Sequence, residues 1–155
     1  MAIAIVDDTP LNLTLIQALV RKLTPAGTEI VCFTSPLEGL AWCERHEPDL
    51  IIVDYMMPDL NGIEFISAVR RFHPPEVVPI LMVTAAHEKE IRYQSLGAGA
   101  NDFLTKPIDR HEFDPRVRTM LALRNSQTRL RSWNDDLRQA VIDKTADIVA
   151  RERET

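Results

Sequence analysis

Apolar residues in this chain fall into five short runs, and the spacing between runs becomes helical. Residues 2–6, 29–33, 50–53, 78–83 and 102–105 read as strands. The run at 50–53 is continuous, as in a strand covered on both faces. After the first run, Leu11, Leu15, Ile16, Leu19 and Leu23 recur at helical spacing. Thr9 is the candidate N-cap and Pro10 the first helical residue, and Pro25 and Gly27 stop the helix. Ser35, Pro36 and Glu38 form a capping-box signature, so a second helix runs to about His46. The segment Pro58-Asp59-Leu60-Asn61-Gly62 is a turn by composition. Ile63, Ile66 and Val69 then open a third helix that ends before Pro74 and Pro75. A polar fourth helix covers about 89–96, closed by Gly97 and Gly99.

Strict alternation of strand and helix predicts an α/β fold: a doubly wound, five-stranded parallel sheet with helices on both faces. The last third reads differently. From Pro115 to Thr155 there is no glycine and no further proline. Leu123, Leu130, Trp133, Leu137, Val141 and Ile148 mark one stripe, with charges opposite, including Asp147 and Arg151 four residues apart. This predicts a long C-terminal helix, about 60 Å if about forty residues are helical. Two starts compete. Asp109 with Glu112 makes one cap, and Asp114 before Pro115 makes another. A start at Asp109 places Pro115 inside the helix, where it removes a hydrogen bond and should kink it. Leu130 to Val141 and Leu137 to Ile148 are both eleven apart, which fits an 11-residue phase better than heptads. Nothing closes the helix before Thr155, so the sequence reads as continuing into a further domain. The expected organisation is a domain over 1–123 and a helical, coiled-coil-like linker over 124–155.

Bulk properties narrow the function classes. With 155 residues, 45% hydrophobic and 26% charged, the chain is ordinary for a globular protein. A net charge of −5 gives no nucleic-acid footprint. No stretch approaches the ~20 apolar residues of a membrane span, and the first strand follows Met1 too closely for a signal peptide. Cys32 and Cys43 lack zinc-ligand spacing, which is most simply read as buried thiols in a reducing, cytoplasmic setting. His46, His73, His87 and His111 share no ligand spacing either.

The chemistry gathers at strand ends. Asp7 and Asp8 follow the first run, Asp54 the third, Thr84 the fourth and Lys106 the fifth. In a parallel sheet these carboxyl ends share one edge, where ligands bind. Asp54 is a carboxylate able to attack phosphorus and form an acyl phosphate. Asp7 and Asp8 can hold Mg²⁺, which prefers oxygen ligands. Lys106 supplies positive charge and Thr84 a hydroxyl donor, so catalysis would be positioning and electrostatics. An isolated acidic residue at a strand end is usually a turn former. Three acidic residues, a threonine and a lysine, all at strand ends of one α/β chain, are not explained that way.

Taken together, Val6-Asp7-Asp8, Asp54 through Gly62, Val83-Thr84-Ala85, and Gly97 through Pro107 resemble the receiver domains of two-component response regulators. The resemblance covers about residues 2–123 and implies the flavodoxin-like receiver fold. It implies that Asp54 is the phosphoacceptor, charged from a phosphohistidine on a sensor histidine kinase. It implies Asp8 as direct Mg²⁺ ligand, Asp7 acting through water, and the Met56 backbone carbonyl completing the metal contacts with Asp54. Thr84 would bond a phosphoryl oxygen and Lys106 would pair with the phosphoryl group. Lys106-Pro107 would be cis. Thr84 and Phe103 would move together as a switch, changing the face made by the fourth and fifth helices and the fifth strand. Met56 and Ala86, both apolar, lie where such domains tune water access, which implies slow self-dephosphorylation.

The tail segments 123–127 and 148–155 resemble the linker of response regulators with an HD-GYP output, which hydrolyses cyclic di-GMP. The chain lacks that output's metal-binding histidines, so by this reading it is not itself an enzyme. Homodimerisation through the C-terminal helix, or through the face of the fourth and fifth helices, is expected. The alternatives are a stand-alone receiver adaptor, a regulator with another output, and an aspartyl-phosphate phosphatase. The last would want a second aspartate where Met56 stands.

Overall fold

The alternating pattern folds as one parallel sheet. The computed structural model describes residues 1–85 and 89–154, with side chains to residue 150. Strands β1 (Ala2–Val6), β2 (Glu29–Phe33), β3 (Leu50–Asp54), β4 (Ile80–Thr84) and β5 (Asp102–Thr105) alternate with α1 (Pro10–Leu23), α2 (Pro36–Arg45), α3 (Gly62–Val69) and α4 (Lys89–Ala98). Helix α5 (Arg110–Glu154) follows. The strand order is β2-β1-β3-β4-β5, all neighbours parallel.

Side chains on successive strand residues point to opposite faces, and here both faces are covered. Ile3, Ile5, Leu50, Ile52, Leu81 and Val83 pack on one side with α1 and the first turns of α5. Ala4, Val6, Ile51, Val53, Ile80 and Met82 pack on the other with α2 and α3. β3 and β4 are buried along their whole length, whereas β2, at the edge, is only half-buried. Each fully buried Ile or Leu contributes about 1.5–3 kcal/mol relative to exposure.

Local details depart from the sequence expectations in three places, and a fourth settles an open alternative. β4 begins at Ile80 rather than at residue 78. Pro79 has no N–H to give a ladder, and the carbonyl of Val78 instead accepts from Arg70 Nη1 at 2.7 Å. Thr9 is the N-cap of α1, but its side chain makes no capping bond. Asp7 serves instead: its Oδ1 accepts from the Thr9 N–H at 2.9 Å. The fourth helix runs two residues further than expected, to Ala98. Finally, α5 starts after Asp109, whose Oδ1 accepts from the His111 N–H at 2.9 Å, and Pro115 lies inside the helix. The hydrogen bond removed by Pro115 is the one to the carbonyl of His111, an exposed residue that water can solvate.

The chain divides into two compact units, Met1–Arg124 and Asn125–Thr155. Within the first, two arginines tie loops together. Arg70 donates to the carbonyls of Gly99, His73 and Val78 and to Asn101 Oδ1. Burial holds its guanidinium down to about 10. Gly99 sits at φ +116, and a Cβ there would meet the Arg70 side chain at 2.8 Å. Arg124, 5% exposed, bonds Asp49 Oδ1 at 3.1 Å, Glu47 Oε1 at 3.4 Å and the Val77 carbonyl at 2.8 Å. Asp49 in turn accepts from the Ala2 N–H through its other oxygen. The second unit is helical throughout its described backbone. The expected Asp147–Arg151 pair lies outside the described side chains. Among the described residues no helix is long and apolar enough to cross a membrane.

Candidate phosphoryl-acceptor site

Sheet register brings the strand-end residues level. Val6 pairs with Val53, Asp54 with Val83, and Thr84 with Thr105. Asp7 therefore emerges beside Asp54, and Lys106 beside Thr84. Two backbone bonds extend the pairing by a residue: Asp7 N–H to Phe33 O at 3.0 Å, and Lys106 N–H to Thr84 O at 2.7 Å.

Asp7, Asp8 and Asp54 each present a carboxylate oxygen, all within 4.8 Å of one another. Asp7 is 1% and Asp54 7% exposed, while Asp8 faces solvent. The Lys106 ammonium joins the two buried carboxylates, at 3.1 Å from Asp7 Oδ2 and 3.2 Å from Asp54 Oδ1. The Tyr55 N–H donates to Asp54 Oδ1 at 2.9 Å. One ammonium against three carboxylates leaves the cluster negative.

The protonation equilibria reflect that excess. Burial, reinforced by the Asp7 charge, raises the Asp54 carboxyl above its usual range, and Lys106 and the Tyr55 N–H only partly oppose this. Burial would push Lys106 down, but Asp54 and Asp7 outweigh it and raise the ammonium. The raised Lys106, and the Asp7 share of the Asp54 shift, reflect a site short of positive charge. The donor chemistry, oxygen atoms with a net negative charge, fits a hard divalent cation.

A cleft of about 390 Å³ adjoins the cluster, lined by Asp8, Tyr55, Met56, Met57, Pro58 and Asn61. The turn beneath it is held tightly. Asp59 has φ 70, with Leu60 N–H bonded to Pro58 O at 2.8 Å. Asn61 and Glu64 exchange capping-box bonds at the start of α3. Gly62 donates its N–H to Tyr55 O at 2.7 Å. A Cβ on Gly62 would stand 2.5 Å from the carbonyl oxygen of Asp54, so α3 can begin this close to the acceptor strand only with glycine. The Asn-Gly pair was legible as a turn, but its contact with Asp54 was not.

The remaining predicted residues fall at two depths. Met56 is 68% exposed at the cleft. Thr84 is fully buried and Phe103 is 5% exposed, packed among the residues on the α2/α3 side of the sheet. The Arg92 guanidinium from α4 lies 5.7 Å from the Phe103 ring centroid, a contact that the polar pattern of this helix did not announce. Lys106-Pro107 is cis. Ala86 and His87 lie outside the described residues. Cys32 and Cys43 are free thiols, and burial pushes Cys43 up to about 12.

Residues 3–118 match the response regulator receiver domain. The chain belongs to this family. The receiver is 33% identical over 153 residues to the cyclic di-GMP phosphodiesterase response regulator RpfG of Xanthomonas campestris pv. campestris (strain 8004), a match that covers 99% of the chain and 40% of RpfG. It is 34% identical over 137 residues to the response regulator PleD of Caulobacter vibrioides, covering 88% of the chain and 28% of PleD. The chain thus spans less than half the length of either relative. Among solved structures, the receiver domain of sensor histidine kinase PA1611 from Pseudomonas aeruginosa PAO1 superposes with a TM-score of 0.68 at 30% identity. That match covers 78% of this chain and 97% of the other, which has a magnesium ion coordinated in its active site cleft.

Proposed function

We propose that residues 1–123 form a phosphorylatable receiver module and that 124–155 form a helical linker relaying its state to an output domain. The observation that carries the reading is Lys106 bridging Asp7 and Asp54 beside a third carboxylate. Asp54 is the acceptor. Its carboxylate oxygen attacks the phosphorus of a phosphohistidine on a sensor histidine kinase. The phosphorus–nitrogen bond breaks, imidazole leaves with the bonding pair, and an acyl phosphate forms. Asp7, Asp8 and Asp54, with the Met56 carbonyl, would hold Mg²⁺, which supplies the positive charge that Lys106 alone cannot match. Lys106 then exchanges its carboxylate contact for a phosphoryl oxygen, and Thr84 donates its hydroxyl to another. Because Thr84 and Phe103 are both buried, satisfying the phosphoryl group from Thr84 requires side chains around Phe103 to repack. That repacking is the switch, read on the face of α4, β5 and α5.

The receiver itself hydrolyses no second messenger in this reading, and its setting is cytoplasmic, where histidine kinases donate phosphoryl groups. The output is an HD-GYP cyclic di-GMP phosphodiesterase, supported by the linker resemblance and by the match to RpfG across the tail. The linker pairs two copies. The exposed apolar side chain of Met56 at the cleft supports slow dephosphorylation.

Acetyl phosphate with Mg²⁺ tests the acceptor. The natural chain should gain one phosphoryl group by intact mass, and Asp54→Asn none. Labelling retained by that variant would remove Asp54 from its role. A phosphorylated half-life of seconds would overturn the slow-dephosphorylation reading.

A further inference from the structure

Helix α5 exposes Leu130, Leu137, Val141 and Ile148 at about half or more of their surface. With Asn134 and Thr145 they form a row whose steps are four, three, four, four and three residues. These steps average one helical turn, so the row runs straight along the helix and does not wind around it. A second helix of the same period can cover such a row along its whole length. Its polar member sets a further condition. An amide buried without a partner is destabilising, so whatever covers Asn134 must offer a donor and an acceptor at that level.

From this pattern we infer that a second copy of this chain covers the row in parallel and in register, with the two Asn134 amides paired across the axis. This rests on the linker-dimer reading above and specifies its geometry. A parallel copy matches amide to amide, Thr145 to Thr145 and each apolar residue to its twin. A single polar residue in such a seam fixes register and copy number at some expense of affinity. The flanks supply the direction. Trp133 borders the row on one side and Arg131 and Arg138 on the other. Parallel pairing sets Trp133 of one copy against the Arg138 guanidinium of the other, a favourable cation–π contact. Antiparallel pairing brings the two Arg138 side chains together.

Disulfide trapping in the full chain tests the geometry, in a Cys32→Ser, Cys43→Ala background. Leu130→Cys and Ile148→Cys should each, alone, oxidise to a covalent dimer as the main product. If only an equal mixture of the two variants forms the dimer, the copies are antiparallel and this inference fails while the dimer reading stands. Sedimentation of the natural chain needs no cysteine changes. A chain that stays monomeric to several hundred micromolar would overturn both. Asn134→Val should tighten self-association by about tenfold or more. Association unchanged or weakened by that substitution would place Asn134 outside the seam and overturn the inference.

Discussion

Replacing Asp54 by asparagine measures how unfavourable the acceptor charge is before any cation binds. Asp7 lies within 4.8 Å of Asp54 and repels it by roughly 3 kcal/mol at an effective dielectric of about 20, while solvent screens the exposed Asp8. Lys106 at 3.2 Å returns roughly 5 kcal/mol on the same scale, but it shares itself with Asp7. Removing a carboxylate from water costs several kcal/mol more. The balance lies against the charge, consistent with the raised Asp54 carboxyl. Asparagine keeps an oxygen for the Tyr55 N–H and removes the charge. With EDTA at neutral pH, Asp54→Asn should therefore stabilise the protein by about 1–2 kcal/mol, or about 5 °C in Tm. The pH dependence has a definite sign. A carboxyl raised in the folded state costs stability when ionised, so the advantage of asparagine should shrink as pH falls through the folded value. It should vanish below the ordinary value of 3.8. Mg²⁺ should reverse the order: at a hundredfold excess over its dissociation constant it adds about 2.7 kcal/mol, and the variant should gain less. Differential scanning fluorimetry across pH, with and without Mg²⁺, reads all three. A lower Tm for the variant in EDTA would refute the charge balance. An undiminished Mg²⁺ gain would refute the cation's contact with Asp54.

Three further substitutions probe the supports. Gly62→Ala forces a Cβ against the Asp54 carbonyl, and overpacking of this kind should cost about 2–3 kcal/mol in urea unfolding and slow acetyl phosphate labelling. Arg70→Lys keeps the charge but cannot reach the carbonyls of Gly99, His73 and Val78 together, so a loss of about 2 kcal/mol is expected by the same assay. Arg124→Ala leaves Asp49 and the Val77 carbonyl short of a donor and should cost about 2–3 kcal/mol. A loss under about 0.5 kcal/mol in either arginine variant would show that water replaces the guanidinium.

The parts of the fold that repeat were legible in the sequence. Five apolar runs separated by helical spacing admit little besides a parallel sheet, and a parallel sheet places Asp7, Asp54, Thr84 and Lys106 at one edge. The register that makes Asp7 and Asp54 neighbours follows from the pairing of Val6 with Val53, which is a property of the sheet and not of either strand. Features made by one long side chain were not legible. Arg70 reaches acceptors up to 31 positions away, and Arg124 reaches Glu47 at 77. No local pattern marks such a partner. The apolar run 78–83 conceals the missing donor of Pro79, so the pattern alone does not show that β4 begins at Ile80. Thr9 stands at the N-cap that the sequence marks, but the side chain that bonds its N–H is that of Asp7, one residue beyond the strand, which propensity does not show.

That bond gives Asp7 two tasks. One of its oxygens accepts the Thr9 N–H at the opening of α1 and the other accepts Lys106 from beyond β5, 99 residues along the chain. Whatever draws Lys106 away from this carboxylate also changes the support under the first helical turn. The entry of α1 is then a natural reporter: a fluorophore or NMR probe at the exposed Leu11 would register occupancy of the acceptor site without touching it.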